Sequence, residues 1–590
     1  YLVSDEPEKH VGDKQIATGT LIRHRRELDD IQRELRETPG TTVIIYDQTC
    51  AAEKRRRRKR GTFPDPAKRA FINELVCEGC GDCGIQSNCV SIIPVTTEFG
   101  RKRQIDQSNC NKDYSCVDGF CPSFVSLEGN VQLKTSVDKS FINNLSTKLA
   151  DPVLPNIDKS YGIMIAGIGG TGIVTIGAIL GTAAQIDGKG SGTLDMTGLA
   201  QKGGAVKSYL RIFNDQKEIS TIRLSYNDTN LLIGCDLLVS NDEDVLLTLE
   251  KSKTKAIINS DEVMTGEFTR NINFSLPSEE IKNNLINLLG EENINFIPTT
   301  TIAKKILGDS IAANLFIVGL AYQSGLIPIT ANSIEKAIKL NGVSTELNIE
   351  SFRLGRHSFY IKDKLLELIK KNENIISTSL NDIIATRYKS LIEYQNEDYA
   401  KKYLSLIKIV QKSEENLRIE KNLFSKAVAK NYFKLMFYKD EYEVSRLFSN
   451  KEFINQINDN FEGDFNINYH MAPPIFSKKD PVTNKPIKRN FGPWLLYFFK
   501  FLSSLRFLRG TLFDPFSYLG ERKIERQLIK DYENLILKIN SKLSSNNYDT
   551  AVEIASTPDQ IRGFGHVKKK NLEIAKNCEL SLMSTFNGQV

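Results

Sequence analysis

Apolar positions along this chain follow two regimes that meet near residue 360. Before that point, short apolar runs of strand length alternate with helical periodicities; after it, apolar residues recur at helical spacing almost throughout. The first regime opens on a strand ending near Val3. A periodic stretch over about 25–37 follows, in which Leu28, Ile31 and Leu35 share one face. Pro39-Gly40 stops that helix, and TTVIIY (41–46) reads as a buried strand ending at Asp47. Farther on, an apolar strand at 163–166 leads into a helix, Asp195 lies in the next candidate strand, and DLLVS (236–240) and AIINS (256–260) read as two more. Helical patterns cover about 301–323 and 332–340, and FRLGRHSF closes the unit near Phe359. Strands alternating with helices predict a doubly wound parallel sheet over 155–360. From 361 to 590 glycine thins out and the periodicity predicts a mainly helical region, clearest at 388–408 and 522–543. The run 494–502 contains Lys500 and is too short to span a bilayer, so it reads as a buried or amphipathic helix. The sequence assigns no chemistry to 361–590, and a lone His566 reads there as a surface or packed residue.

Length and composition narrow the class. A chain of 590 residues is too long for one core, and about three or four domains is the natural expectation. With 40% apolar and 25% charged residues it has the make-up of a globular protein, and a net charge of +6 over this length does not point to nucleic acid. The opening at Tyr1 reads as a strand entered halfway, so an upstream region is expected. The run KRRRRKR (54–60) reads as a solvated or anion-facing connector. It lacks the aromatic interleaving of an RNA-binding surface, although it could steer an acidic electron carrier.

The chemistry concentrates in 77–121, which holds seven of the ten cysteines as CEGCGDCGIQSNC and CNKDYSCVDGFCP. Cys77, Cys80 and Cys83 at two-residue intervals can aim at one point only through tight loops, which Gly79, Gly81 and Gly84 permit. The closing Cys121-Pro122 is the mark of a bacterial-type ferredoxin module, in which the last cysteine completes the cluster begun by the other motif. Zinc sites show separated pairs and often histidine, and seven is an odd number for disulfides, so 4Fe–4S is the reading taken. Cys77, Cys80, Cys83 and Cys121 make one full set. Cys89, Cys110 and Cys116 make a second set one ligand short, completed by Cys50, by a non-cysteine ligand, or not at all. One cluster is expected, with a second open. Thiols gathered in one ligand-like segment fit a reducing compartment, hence the cytoplasm.

A second informative stretch is Gly167-x-Gly169-Gly170-Thr171-Gly172 between a strand and a small-residue helix. Such a turn suits either a dinucleotide, with Asp195 placed as a ribose-binding acid, or simple close packing of helix on strand. The loop MTGLAQKGGAVKS follows, where Gln201, Lys202, Gly203 and Gly204 form a donor-rich surface suited to anionic or carbonyl groups; the alternative is an ordinary crossover.

The order of these parts resembles the fused indolepyruvate ferredoxin oxidoreductases, members of the thiamine-dependent 2-oxoacid:ferredoxin oxidoreductase group. The residues that carry the resemblance are YDQTCAAEKRRRRKRG (46–61), the two cysteine runs with EFGRKRQIDQSN (98–109), GIGGTG (167–172), DMTGLAQKGGAVKS (195–208), LRGTLFDPF (508–516) and IRGFGHVK (561–568). The resemblance implies an α/β multidomain protein: the end of a thiamine-diphosphate-binding domain (1–60), a ferredoxin-like 4Fe–4S module (61–135), a gamma-subunit-like α/β domain (155–360) and a helical remainder. It also implies oxidative decarboxylation of an aryl or branched 2-oxoacid to the acyl-coenzyme A, with electrons passed to ferredoxin, in a homodimer away from membranes. Thiamine diphosphate and Mg2+ belong to the full-length enzyme, since the GDG…Asn pattern that holds them is missing here and this chain alone is expected to be inactive. In such enzymes the Gly-rich domain contributes to a shared active site instead of binding NAD, so the resemblance argues against a nicotinamide- or flavin-linked reductase.

Overall fold

Leu2-Val3-Ser4 forms β1 (Leu2–Ser4), buried at the centre of a three-stranded parallel sheet between β2 (Ile22–His24) and β3 (Ile45–Asp47). The computed structural model describes residues 1–134, 149–200, 203–370, 379–417, 422–473 and 486–588. They fall into two compact units, one of residues 1–66 with 111–113 and one of the remainder. In the first unit, α1 (Leu28–Glu37) buries Ile31. It starts later than the periodicity suggests because Arg25–Glu27 make a tighter turn, closed by a capping box between His24 and Glu27. The TTVIIY run is not buried as expected: Val43, Ile45 and Tyr46 are 61%, 53% and 47% exposed, since β3 is an edge strand paired on one side only. The basic run, read as a solvated or anion-facing connector, lies for most of its length in helix α2 (Ala51–Lys59). There Glu53 takes Arg56 and Arg57, and Arg58 donates to the carbonyls of Pro64 and Asn111 at 3.0 and 2.6 Å.

In the second unit the cysteine segment hangs between two antiparallel strands, β4 (Lys68–Ile72) and β7 (Phe124–Gly129). Between them lie α3 (Asp82–Ser87) and the hairpin β5 (Ile92–Thr97) and β6 (Gly100–Ile105). A short β8 (Gln132–Leu133) follows.

The larger sheet contains β9 (Tyr161–Ile168), β10 (Gly190–Thr197), β11 (Ala205–Phe213), β12 (Leu231–Gly234), β13 (Lys255–Asn259) and β14 (Ile294–Ile297), in the order β10-β11-β9-β12-β13-β14. The α/β reading holds, with one correction: β9, β12, β13 and β14 are parallel, whereas β11 runs antiparallel to both neighbours, so the sheet is mixed. Alternation along β9 divides the core. Ile163 and Ile165 face α4 (Ile173–Ile186) and a helical layer that includes Phe316 and Phe352, while Met164 and Ala166 face a layer that includes Ile281 and Leu285. DLLVS is not a strand. The strand is LLIG just before it, and Asp236 accepts from Val239 N at 2.9 Å to cap α5 (Leu237–Ser240). The helix expected over 301–323 breaks at Gly308, whose φ of 79° ends one segment before Asp309 caps the next turn. Only α6 (Ala313–Gln323) continues from there, followed by α7 (Ala331–Asn341) and α8 (Thr345–Lys370), which runs through the boundary expected near 359 with an irregular residue at Ile361.

α6 and α8 cross backbone to backbone. A Cβ on Gly319 would lie 2.0 Å from the Phe352 carbonyl oxygen, and one on Gly355 would lie 2.0 Å from that of Phe316. Gly319→Ala is expected to lower the thermal unfolding midpoint, at a cost of about 1–3 kcal/mol from overpacking. Circular dichroism melts check this, and an unchanged midpoint would mean that the crossing can spread freely.

Beyond 379 the region is helical for most of its length, as expected. The helix expected over 388–408 is two, α9 (Leu380–Tyr394) and α10 (Glu397–Asn416), because Asn396 caps the second by accepting from Tyr399 N at 2.9 Å. α11 (Leu423–Met436), α12 (Glu441–Ser449), α13 (Gly520–Asn540), α14 (Tyr548–Ser556) and α15 (Gly565–Gly588) complete the main helices used below. This region also gives strands to the cysteine module. Phe465–Met471 pairs with β7, Arg489–Phe491 pairs with Phe465–Met471, and Phe461–Glu462 pairs with β8. The helix at Leu495–Ser504 is amphipathic, burying Leu495 and Phe499 and exposing Trp494, Tyr497, Phe498 and Phe501. Among the described residues no helix is long and apolar enough to cross a membrane.

Candidate metal centre

The loop after β4 begins where Cys77 N donates to Asn73 O at 3.0 Å. Two glycines then fold it tightly. Gly79 has a φ of 65° and a Cβ there would lie 2.3 Å from the Arg101 carbonyl oxygen; Gly81 has a φ of 78° and a Cβ would lie 2.1 Å from Ile272 Cγ2. Neither position admits a side chain. Asp82 ties this loop to the later run, because its carboxylate accepts from Phe120 N at 2.5 Å.

The fold brings Cys77, Cys80, Cys83 and Cys121 together. Burial, and next the Cys121 thiolate, push Cys77 up; the same two causes push Cys80 and Cys83 well above the ordinary thiol range, the other nearby thiols adding to it and the Asp82 N–H at Cys80 and the Arg103 cation at Cys83 opposing it. Cys116 is buried and within electrostatic reach of Cys83, while Cys89 and Cys110 are half-buried. Cys50 is exposed and belongs to the other compact unit, at the start of α2. Among the described residues no three His, Cys, Asp or Glu side chains are arranged to hold a single metal ion.

This donor set fits a 4Fe–4S cluster. Four thiolates crowded in a buried loop repel one another, and a cationic core at their centre removes the repulsion. Backbone donors already aim at the sulfurs: Gly79 N–H donates to Cys77 Sγ at 3.3 Å, Arg103 N–H also donates to Cys77, and Asp82 N–H donates to Cys80. Such bonds favour the anionic sulfur and tune a cluster's potential. Arg103 is only 2% exposed, and its guanidinium lies over the Phe268 ring at 4.5 Å and donates to Ile272 O at 3.0 Å. The EFGRKRQIDQSN run contains Arg103, but nothing in its local pattern marks that arginine as facing the thiols.

The module rests on loops that follow the strands of the large sheet. Thr269 donates to Asn88 Oδ1 at 2.9 Å, Lys304 pairs with Asp106 at 2.9 Å, Ser108 donates to Ser310 at 2.9 Å, and a Cβ on Gly203 would lie 3.9 Å from Val90 Cγ1. Open α/β sheets bind ligands beyond the carboxyl ends of their strands. The Gly-rich turn lies at that edge. Gly169 N donates to Gly204 O at 2.6 Å and Gly203 N to Gly169 O at 3.2 Å, so the turn is stitched to the loop before β11. A Cβ on Gly167 would meet Ile173 Cδ1 at 2.4 Å, and Gly172, at a φ of 100°, starts α4 with Asn314 donating to Thr171 O. Gly170, with a φ of 85°, is exposed. Close packing accounts for Gly167 and Gly172. Asp195 is on β10, separated from β9 by β11, which is not where a ribose-binding acid would follow the first strand. Gln201 and Lys202 lie outside the described residues.

Three later segments complete the surroundings. Arg387 of α9 donates to the Glu98 carboxylate and carbonyl at 3.1 and 2.9 Å, and Phe99 stacks on Phe433 at 5.4 Å, so the β5–β6 hairpin tip is held by the helices. Lys488 donates to the carbonyls of Val117 and Gly119 at 2.8 and 2.6 Å. At the far end of the chain a Cβ on Gly563 would lie 3.2 Å from Cys80 Cβ, and the His566 ring lies tilted against Phe120 at 4.9 Å. Nothing in the sequence signals these, because hundreds of residues separate the partners.

Comparison with known proteins adds two family matches. Residues 162–358 match a family described as pyruvate ferredoxin/flavodoxin oxidoreductase, and residues 380–579 match one described as a family of unknown function (DUF6537). The chain is 28% identical over 202 residues to 2-oxoglutarate synthase subunit KorC of Methanothermobacter marburgensis, covering 33% of this chain and 94% of that protein. It is 24% identical over 208 residues to indolepyruvate oxidoreductase subunit IorB of Archaeoglobus fulgidus, covering 33% and 92%. It is 28% identical over 209 residues to the common gamma subunit of the pyruvate/ketoisovalerate oxidoreductases of Pyrococcus furiosus, covering 34% and 96%. Among solved structures it is similar to pyruvate oxidoreductase subunit PORC of Thermotoga maritima, at 19% identity and a TM-score of 0.25, covering 34% of this chain and 96% of that one.

Proposed function

We propose that this chain is the cluster-bearing and gamma-subunit-like part of a thiamine-dependent 2-oxoacid:ferredoxin oxidoreductase. Its substrate would be an aryl or branched 2-oxoacid of the indolepyruvate kind, with coenzyme A as acyl acceptor and ferredoxin as electron acceptor. The observation that carries this reading is the convergence of Cys77, Cys80, Cys83 and Cys121 in the same compact unit as the oxidoreductase-like sheet. A bound 4Fe–4S cluster supplies one-electron transfer, which suits a reaction that releases two electrons to a one-electron carrier. The chain's own part is to hold the four thiolates, to offer the N–H groups of Gly79, Asp82 and Arg103 to their sulfurs, and to keep water from the buried side. Asp106–Lys304 and Thr269–Asn88 fix the module against the loops at the sheet edge, where the exposed Gly170 is available to a shared active site. Thiamine diphosphate and Mg2+ would be held by other parts of the enzyme, in a cytoplasmic homodimer.

Anaerobic reconstitution of this chain with iron and sulfide tests the reading. About four iron and four sulfide per chain are expected, or twice that if Cys89, Cys110 and Cys116 also hold a cluster, with an EPR signal on dithionite reduction. Colourless protein carrying only zinc would rule the proposal out.

A further inference from the structure

The region of unknown function is built around the cysteine module at four places. Its strand Phe465–Met471 extends the sheet beside β7, so that the four strands run in one ladder, and His470 within it bonds Ser126 at 3.0 Å. Its helices hold the hairpin tip through Arg387, Phe433 and Phe437. Its segment before Arg489 sends the Lys488 ammonium onto the carbonyls of Val117 and Gly119, between Cys116 and Cys121. Its turn leading into α15, Arg562–His566, lies against Cys80 and Phe120, with Gly563 at a φ of 101° and Gly565 so close to Phe120 that a Cβ would lie 2.4 Å from the ring.

From this arrangement, and resting on the cluster reading above, we infer that residues 380–579 serve as the cluster's outer shell, and that Lys488 is the positioning residue that sets how readily the cluster accepts an electron. The ammonium is fixed by two carbonyl acceptors and stands over the Phe124 ring at 5.3 Å, within electrostatic reach of the Cys121, Cys116 and Cys83 thiols. Asp118 is the acid facing it, and His470 lies near. Uptake of one electron adds one negative charge to the cluster while all four thiolates stay bound. A fixed cation nearby favours the reduced form, and a half-buried position away from bulk water leaves that attraction weakly screened. Arg103 and Lys102 are further cations within electrostatic reach of the thiols, Arg103 of Cys77 and Cys83 and Lys102 of Cys77.

The test is a redox titration of the reconstituted full chain followed by EPR, with dithionite as the electron donor, on wild type, Lys488→Met and Lys488→Arg. Lys488→Met should keep its iron and sulfide but show about a tenfold lower ratio of reduced to oxidised cluster at a fixed potential, equivalent to a midpoint about 59 mV more negative for a one-electron couple. Lys488→Arg should stay near wild type. Equal midpoints in Lys488→Met and wild type, or loss of iron in both variants, would overturn the tuning role. If Lys488→Met does not fold, Gly563→Ala carries the test of the shell: its Cβ pushes the turn off Cys80, and air bleaching of the cluster should be several-fold faster than in wild type. Unchanged bleaching would overturn the shell. Absence of iron from the wild type would instead overturn the cluster reading itself.

Discussion

Cys80→Ala is expected to bring bound iron from about four per chain to near none, and to remove the EPR signal of the dithionite-reduced protein. The thiol sits in a loop with no room to recruit a substitute. Gly79 and Gly81 are locked against Arg101 and Ile272, and Gly563 closes the space beside Cys80 Cβ. The remaining thiols, Cys77, Cys83 and Cys121, would leave one iron without a thiolate and open to solvent, the route by which the cluster is lost. Cys578→Ala is the control, since that half-buried thiol belongs to the last helix and not to the module. Cys89→Ala then separates one cluster from two: with one cluster, iron and signal are unchanged, and with two, iron falls by about half. Retention of a full signal in Cys80→Ala would remove the ligand assignment.

The largest stability effect is expected at Arg509, within LRGTLFDPF. Its guanidinium bonds Asp440 at 2.5 and 2.9 Å, donates to the Tyr394 carbonyl, and lies over the Tyr394 ring at 3.6 Å; both charged partners are about 4% exposed or less. Asp514 of the same motif accepts from Gly510 N and Phe516 N and from the Tyr442 hydroxyl. The motif that resembles a family tail is therefore a buried polar knot joining α9, α12 and the segment before α13. Arg509→Met leaves Asp440 buried without its cation, at an expected cost of about 3–5 kcal/mol, seen as a lowered urea midpoint for loss of helix. Adding Asp440→Leu should recover most of the loss, since an apolar pair of similar volume replaces a buried ion pair at little net cost. A double variant no better than the single would show that the knot acts through Arg509's other bonds, to Tyr394 above all.

What could be read in advance was local. The two-residue cysteine spacing with its glycines predicted a tight thiolate loop, and the loop has the positive φ values that only glycine adopts without strain. The strand 163–166 and the helix after it were legible because burial on both faces leaves a continuous apolar run. DLLVS misled because a three-residue apolar run fits a strand or a buried helical turn equally, and the capping oxygen of Asp236 decides between them. The mixed sheet was hidden for a related reason. β10 and β11 carry no mark of direction, and whether a strand runs with or against its neighbour depends on where the intervening loop lands.

Residue order alone determined that seven cysteines lie within one short segment, that a glycine turn joins a buried strand to a buried helix, and that the second half is helical. These follow from backbone limits and periodicity acting within a few residues. Tertiary structure decided which thiols meet, which cations face them, and that Lys488 and Gly563, hundreds of residues away, wall in the same cysteine module, one at Val117 and Gly119 and the other at Cys80. Only folding sets such proximities, because each depends on the packing of elements whose separation along the chain carries no information about their distance in space.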